Sequence, residues 1–276
     1  MMQICDIPFG MELCKKVGWN QTQDDWRRLI NLGGVLLAME DGVPCGTGSV
    51  IQYETRLGWI GMILVNPEFR GHGIGSAIMN SAIQYLKERN IDVIKLDATD
   101  AGRRVYLKLG FKDERLISRY KGVGVGVSSK NPPADVSVIT DVDWDEISEI
   151  DKNAFGANRI ELLKQLKKDG VGVLVRHADK ITGFGFARAG MDAHFVGPIV
   201  ADNLQIAQSI AKALVAQFPE SVIYWDILPD NFNSRKLVET LGFKEDRKLM
   251  RMLLSEGDVA EGDINKIFGG AGFELG

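Results

Sequence analysis

Hydrophobic and polar positions along the chain predict one series of elements twice. In the first half, helical spacing covers residues 11–18 and 22–32, and strand-like runs cover 34–40, 45–53 and 57–65. A long amphipathic helix follows at 73–89, with Ile74, Ala77, Ile78, Ala82, Tyr85 and Leu86 on one stripe. Strand 92–98, helix 101–109 and strand 111–120 complete the series. Asp41-Gly42, between two apolar runs, predicts a tight hairpin.

The second half predicts helices at 143–154 and 157–168, strands at 171–177, 180–188 and 192–200, helix 202–217, strand 221–227, helix 231–241 and strand 243–253. LGFKDERLISRY from Leu109 has its echo in LGFKEDRKLMRM from Leu241. Order, spacing and that echo together indicate an internal duplication. SSKNPPAD, residues 128–135, is polar and carries two prolines, so it reads as a linker between a domain at 1–127 and another at 136–276. Just before it, KGVGVGV (121–127) reads as a loose edge strand, because no helix follows its glycines.

A chain of 276 residues with 45% apolar and 25% charged content has material for two cores. It has no apolar run long enough to span a bilayer, and Met1-Met2-Gln3 opens no leader pattern, so the expectation is a soluble, cytoplasmic protein without membrane contact. Residues 1–130 hold 17 basic and 14 acidic side chains, leaving 16 and 23 of the total 33 and 37 for the rest. Neither half has the basic excess of a nucleic-acid binder. Cys5, Cys14 and Cys45 lack metal or disulfide spacing and are expected to be buried thiols. His177 and His194 have no partners at metal spacing, and no metal is expected.

The sharpest feature is ILVNPEFRGHGIGSAIMNSAIQYL, residues 63–86: a strand end, a turn at Asn66-Pro67, then glycines opening a helix. A helix N-terminus offers unpaired amides and a positive dipole end, and glycines admit a ligand close to the backbone. Such a turn can cradle a pyrophosphate, although for a lone glycine cluster a plain tight strand-to-helix turn is ordinarily the better reading. A Walker loop lacks its Lys-Ser/Thr here, and GxGxxG is absent.

Val65-Asn66-Pro67-Glu68-Phe69-Arg70-Gly71-His72-Gly73-Ile74-Gly75, with the later Tyr106-Leu107-Lys108-Leu109-Gly110-Phe111, resembles the GCN5-related N-acetyltransferase (GNAT) family. The resemblance covers residues 1–120 in element order and, more faintly, 136–253. It implies an α/β chain of two tandem acyl-CoA N-acyltransferase folds, each a mixed, mainly antiparallel sheet flanked by helices. On that resemblance, backbone from Arg70, Gly71, His72, Gly73, Ile74, Gly75 and Ser76 would hold the pyrophosphate of acetyl-CoA, a co-substrate. Strand 57–65, with Leu64 and Val65, would pair with the pantetheine arm. Tyr106 would protonate the departing thiolate, a phenol and a thiol having comparable unperturbed pKa values; its alternative is a core aromatic.

Thr99 stands where the family often has Asn, and serves as a cofactor contact or a helix cap. The family's frequent strand carboxylate is missing from 57–65, so Asp97 is the nearest candidate base, with pairing to Arg103 or Arg104, or capping of the next helix, as alternatives. His72 is not read as a base; phosphate contact is the role left to it.

The second half has no RxxGxG, carries Asp202 at its helix start as a cap, and has Asn231 and Val238 where Thr99 and Tyr106 stood. It is expected to be catalytically silent. Trp225, Asp226 and Phe232 are cleft candidates by position, with core packing as the alternative for the aromatics, and the apolar INKIFGGAGFELG is expected to dock. The overall expectation is transfer of acetyl to a primary amine of a small molecule or peptide by direct attack in a ternary complex. A non-catalytic acyl-CoA sensor and an acyltransferase with another donor are the alternatives. The protein would be a monomer with an intramolecular pseudo-dimer, or a homodimer.

Overall fold

A computed structural model describes residues 1–54, 56–124, 135–257, 259 and 262–276. Two compact units divide the chain: unit 1 holds residues 1–114, 250–259 and 273–276, and unit 2 holds 115–249 and 260–272. Most of the linker read at 128–135 lies outside the described residues.

Unit 1 opens with helices α1 (Ile7–Val17) and α2 (Gln23–Leu32), followed by strands β1 (Gly33–Glu40), β2 (Val43–Tyr53) and β3 (Leu57–Val65). Helix α3 (Ile74–Lys87), strand β4 (Val93–Ala98) and helix α4 (Asp100–Lys108) follow. β5 (Lys112–Val123) then runs into unit 2. Thr22 and Asp25 cap α2 reciprocally, and Asp41 and Gly42 take the positive φ that a two-residue hairpin between Glu40 and Val43 requires.

β1, β2 and β3 pair antiparallel, and β3 pairs parallel with β4. The last strand of unit 1 comes from the far end of the sequence: Met250–Ser255 pairs antiparallel with Ala98–Val93. Met79, Ala82 and Leu86 of α3 pack with Val50, Ile60, Ile94, Leu96 and Met252. A Cβ on Gly48 would meet Ile78 of α3, so α3 covers that face of β2.

Unit 2 repeats the plan. A short β6 (Val136–Val138) precedes helices α5 (Trp144–Phe155) and α6 (Ile160–Asp169) and the antiparallel β7 (Gly170–His177), β8 (Lys180–Arg188) and β9 (His194–Ala201). Helix α7 (Leu204–Val215), β10 (Val222–Ile227), helix α8 (Phe232–Thr240), β11 (Lys244–Ser255) and β12 (Ile267–Gly269) follow. β9 and β10 are parallel, and β10 pairs antiparallel with Ser118–Val123 of β5. Lys121-Gly122-Val123 is therefore not a loose edge: it sits in register with Tyr224-Ile223-Val222. Residues 125–127 lie outside the described residues.

Each unit thus closes on a strand whose sequence lies in the other half. In both, one buried ion pair fixes that strand. Arg251 donates to Asp97 at 2.8 and 3.0 Å in unit 1, and Arg119 donates to Asp226 at 2.7 and 2.7 Å in unit 2. The members of each pair are direct strand partners. An aromatic ring one strand beyond the paired one lies near each guanidinium, Trp59 of β3 at 4.6 Å and Phe195 of β9 at 5.6 Å.

Cys14 and Cys45 are buried as expected, and burial pushes the Cys14 thiol up to about 12. Cys5 is exposed, correcting the expectation for that residue.

Candidate active site

The site in unit 1 is built from a bulge, a loop and a helix start. Met62 sits in the middle of β3 with φ 50°, a strained value for a non-glycine residue, and Thr47 donates its hydroxyl to the Met62 carbonyl at 3.0 Å. The ladder to β2 shifts register there. A bulge bends its strand, and the parallel ladder from β3 to β4 covers only Leu57–Trp59 and Val93–Lys95 among the described residues, while both strands run on. The two strands therefore form a fork that is unpaired beyond Trp59.

At the end of β3, Asn66 accepts from the Glu68 amide and opens a short turn, and Arg70 donates Nε–H to the Val65 carbonyl at 3.3 Å. Gly71 and Gly73 have φ of 89° and 79°, values that favour glycine. Gly73 is the N-cap of α3 and provides no side-chain cap, which leaves the amides of the first turn without that partner. A Cβ on Gly71 or Gly73 would meet nothing within 4 Å, and one on Gly75 would find only Val65 Cγ2 at 3.7 Å. The protein itself does not require glycine at 75, so a bare backbone there suits a ligand lying over the helix start. These residues fit a pyrophosphate.

The other candidates fall as follows. Leu64 is buried, and Val65, Ile74 and Ser76 are partly buried. His72 is exposed, with Nδ1 3.4 Å from Glu40. Thr99 caps α4, accepting from the Gly102 amide at 3.2 Å. Tyr106 is 9% exposed and packs near Phe111, with ring centroids 6.1 Å apart. Burial pushes its phenol up to about 12, so the match to a thiol inferred from unperturbed values does not hold. Gly102 makes room for its ring: a Cβ there would stand 2.9 Å from Cε2 and 3.1 Å from the hydroxyl oxygen.

Asp97 pairs with Arg251 rather than with Arg103 or Arg104, and it does not cap α4; Arg103 is held by Asp113. Sequence reasoning missed Arg251, whereas the tail expected to dock does so at residues 273–276. Trp59 Nε1 donates to the Phe273 carbonyl at 3.0 Å, and the Tyr53 hydroxyl donates to the Leu275 carbonyl at 2.7 Å. A Cβ on Gly61 would come 2.9 Å from Glu274 Cα, which puts this segment against β3. One signal was present: Arg119 and Arg251 are both among the identities of the repeated block.

In unit 2, Asn203, not Asp202, caps α7, accepting from the Ile206 amide at 3.1 Å, while Asp202 faces Lys266. Trp225 is buried, but Phe232 is 64% exposed and packs in no core. His194 stacks on Phe218 at 3.9 Å, and burial lowers its pKa. No group of His, Cys, Asp or Glu suited to a metal occurs among the described residues, and no helix there is long and apolar enough to cross a membrane.

Comparisons with known proteins bear on the family and the fold. The acetyltransferase (GNAT) family profile matches residues 6–111, and an acetyltransferase (GNAT) domain profile matches 147–269. The chain belongs to the GNAT family and carries two GNAT folds in tandem; it is a GNAT acyltransferase. It is 26% identical over 263 residues to a holothin acyltransferase of Pseudoalteromonas sp. (strain SANK 73390), covering 94% of this chain and 87% of that one. With the uncharacterized N-acetyltransferase YitH of Bacillus subtilis it shares 24% identity, covering 86% and 84%. Among solved structures, a Pyrococcus horikoshii protein described as an acetyltransferase superposes with TM-score 0.85 at 22% identity, over 100% of this chain and 94% of that one. A tandem GNAT protein from the clavulanic acid biosynthesis pathway gives 0.62 at 12%, over 91% and 94%.

Proposed function

We propose that unit 1 transfers the acetyl group of acetyl-CoA to a primary amine of a small molecule or peptide, by direct attack in a ternary complex. The supporting observation is the uncapped start of α3, bare at Gly75, at the end of the strand that borders the fork. Backbone from Arg70 to Ser76 would hold the pyrophosphate, and the open edge of β3 around Leu64 and Val65 would take the pantetheine arm as an added strand.

The amine nitrogen bonds to the thioester carbon, the carbon–sulfur bond breaks, the amine's proton passes to solvent water and the departing thiolate takes its proton from solvent. Tyr106, held in its protonated form by burial, serves as hydrogen-bond donor to the departing sulfur. Complete transfer from a phenol near 12 to a thiolate near 8.5 runs uphill by roughly 5 kcal/mol, so donation without full transfer is the role that fits. Asp97, locked to Arg251, acts as a positioning residue for the last strand of unit 1 rather than as a base.

Release of CoA from acetyl-CoA with a panel of small and peptide amines tests this reading. Turnover with at least one amine is expected; tight binding with no release from any of them would make the protein a sensor. Comparing acetyl-CoA with longer acyl-CoAs is part of the same test, because the holothin relative is an acyltransferase whose name does not specify acetyl.

A further inference from the structure

β12 occupies in unit 2 the place that, among the described residues, no strand fills in unit 1. The parallel ladder from β9 to β10 covers only His194–Val196 and Ile223–Trp225, the same short span as in unit 1. Beyond it, Ile267 and Gly269 pair antiparallel with Val200 and Ile199. Val200 and Ile199 already pair with Phe184 and Gly185 of β8 on one edge, so β12 takes the edge that faces β10. The Gly270 amide then donates to the Asp226 carbonyl of β10 at 2.8 Å. β12 therefore bridges the two arms of the fork.

Buried side chains of unit 2 hold this segment by its backbone. Asn231 Nδ2 lies 3.0, 3.1 and 2.9 Å from the carbonyls of Ile264, Asn265 and Ile267, three acceptors sharing two hydrogens. Its Oδ1 accepts from the amides of Asn233 and Ser234, which fixes the direction in which Nδ2 points. Trp225 Nε1 and the Ser234 hydroxyl both donate to the Phe268 carbonyl, at 2.9 and 3.1 Å. Two glycines permit the approach: a Cβ on Gly197 would fall 2.0 Å from the Gly270 oxygen, and one on Gly269 would fall 2.7 Å from Trp225 Nε1. Asn231, Ser234 and Trp225 are each no more than 1% exposed.

We infer that the fork of unit 2 is a strand-binding site whose resident ligand is the chain's own segment 264–270, read through its carbonyls by Asn231, Ser234 and Trp225. The segment takes the edge on which an acyl-CoA arm would add, so unit 2 offers no second donor site. Loss of cofactor chemistry in the duplicate left a groove suited to extended backbone, and the chain fills it.

The test uses the full-length protein and follows amide hydrogen exchange at residues 267–270 in the wild type and in Asn231→Ala. The wild-type amides should be protected, and the variant should exchange on the order of tenfold faster or more there, since each lost hydrogen bond is worth about 1 kcal/mol. Ser234→Ala, a smaller change, should give a smaller acceleration confined to the same residues, and it decides the matter if Asn231→Ala does not fold. Titration with acetyl-CoA should give one equivalent per chain. Unprotected wild-type amides, unchanged exchange in the folded variants, or two equivalents of acetyl-CoA would each overturn the inference. The acyl-CoA reading of unit 1 enters only through the stoichiometry: absence of all acetyl-CoA binding would sink that reading, and the exchange data would still decide this one.

Discussion

The helices α3 and α7 open at corresponding places and are finished in different ways. α3 starts behind Gly73, which caps nothing, whereas α7 starts behind Asn203, whose side chain takes the Ile206 amide. At the second helical step α3 has Gly75 and α7 has Gln205. One helix start is left available for an anion, and the other is satisfied by the protein. The scaffold below them is kept: the pairs Asp97–Arg251 and Asp226–Arg119 are the same device in both units. The two units therefore differ in the groups at the helix start while sharing the device that closes the sheet.

The largest effects should fall where the units agree. Arg251→Ala and Arg119→Ala each remove the guanidinium bound to a fully buried carboxylate, and each should cost about 3–5 kcal/mol in denaturant unfolding. Unequal losses would show that the two devices have diverged. Next comes the contrast at the helix starts. Gly75→Gln gives α3 the residue of α7 and should weaken acetyl-CoA binding by about 200-fold, roughly 3 kcal/mol, measured calorimetrically, because two or three charge-assisted contacts are blocked. Its thermal stability should hold or rise, since Gln is the better helix former. Unchanged affinity would remove the cradle.

Tyr106→Phe should lower kcat about 100-fold in steady-state assays with little change in acetyl-CoA affinity, while Val238, its counterpart in unit 2, can be varied without a comparable loss of kcat in the folded protein. The phenol also has a pH signature. Its folded pKa, about 12, lies above the unfolded value near 10, so its contribution to stability is complete below about pH 10 and is lost as pH rises toward 12. Wild-type stability should therefore fall by up to about 3 kcal/mol relative to Tyr106→Phe across that window. Smallest is Gly102→Ala, whose Cβ presses on the tyrosine ring: kcat should drop a few-fold with the affinity for acetyl-CoA intact.

Much of this was legible because amphipathic spacing determines both local structure and burial. β3, β8 and the hairpin at Asp41-Gly42 fall at their expected positions. β6 and β12 were missed, since three residues are too few to show a period. The partner of Asp97 was missed for a different reason. Arg251 is 154 positions away, and side-chain patterning reports which face a strand buries, not which strand lies beside it. Asn231 illustrates the same limit: its place in the repeat was visible, whereas the carbonyls it holds, 33 to 36 positions further on, were not.

The crossed ownership of the closing strands governs when the molecule can take shape during synthesis. The sheet of unit 1 lacks its final strand until Ser255 has left the ribosome, roughly 140 residues after Glu114, or about 7–30 s at typical elongation rates. Until then the free edge of β4 and the apolar side chains awaiting Met252 are open to wrong partners. A chain arranged in this way gains nothing from finishing its first 114 residues early, and a nascent protein halted at residue 135 should behave as an unfinished sheet.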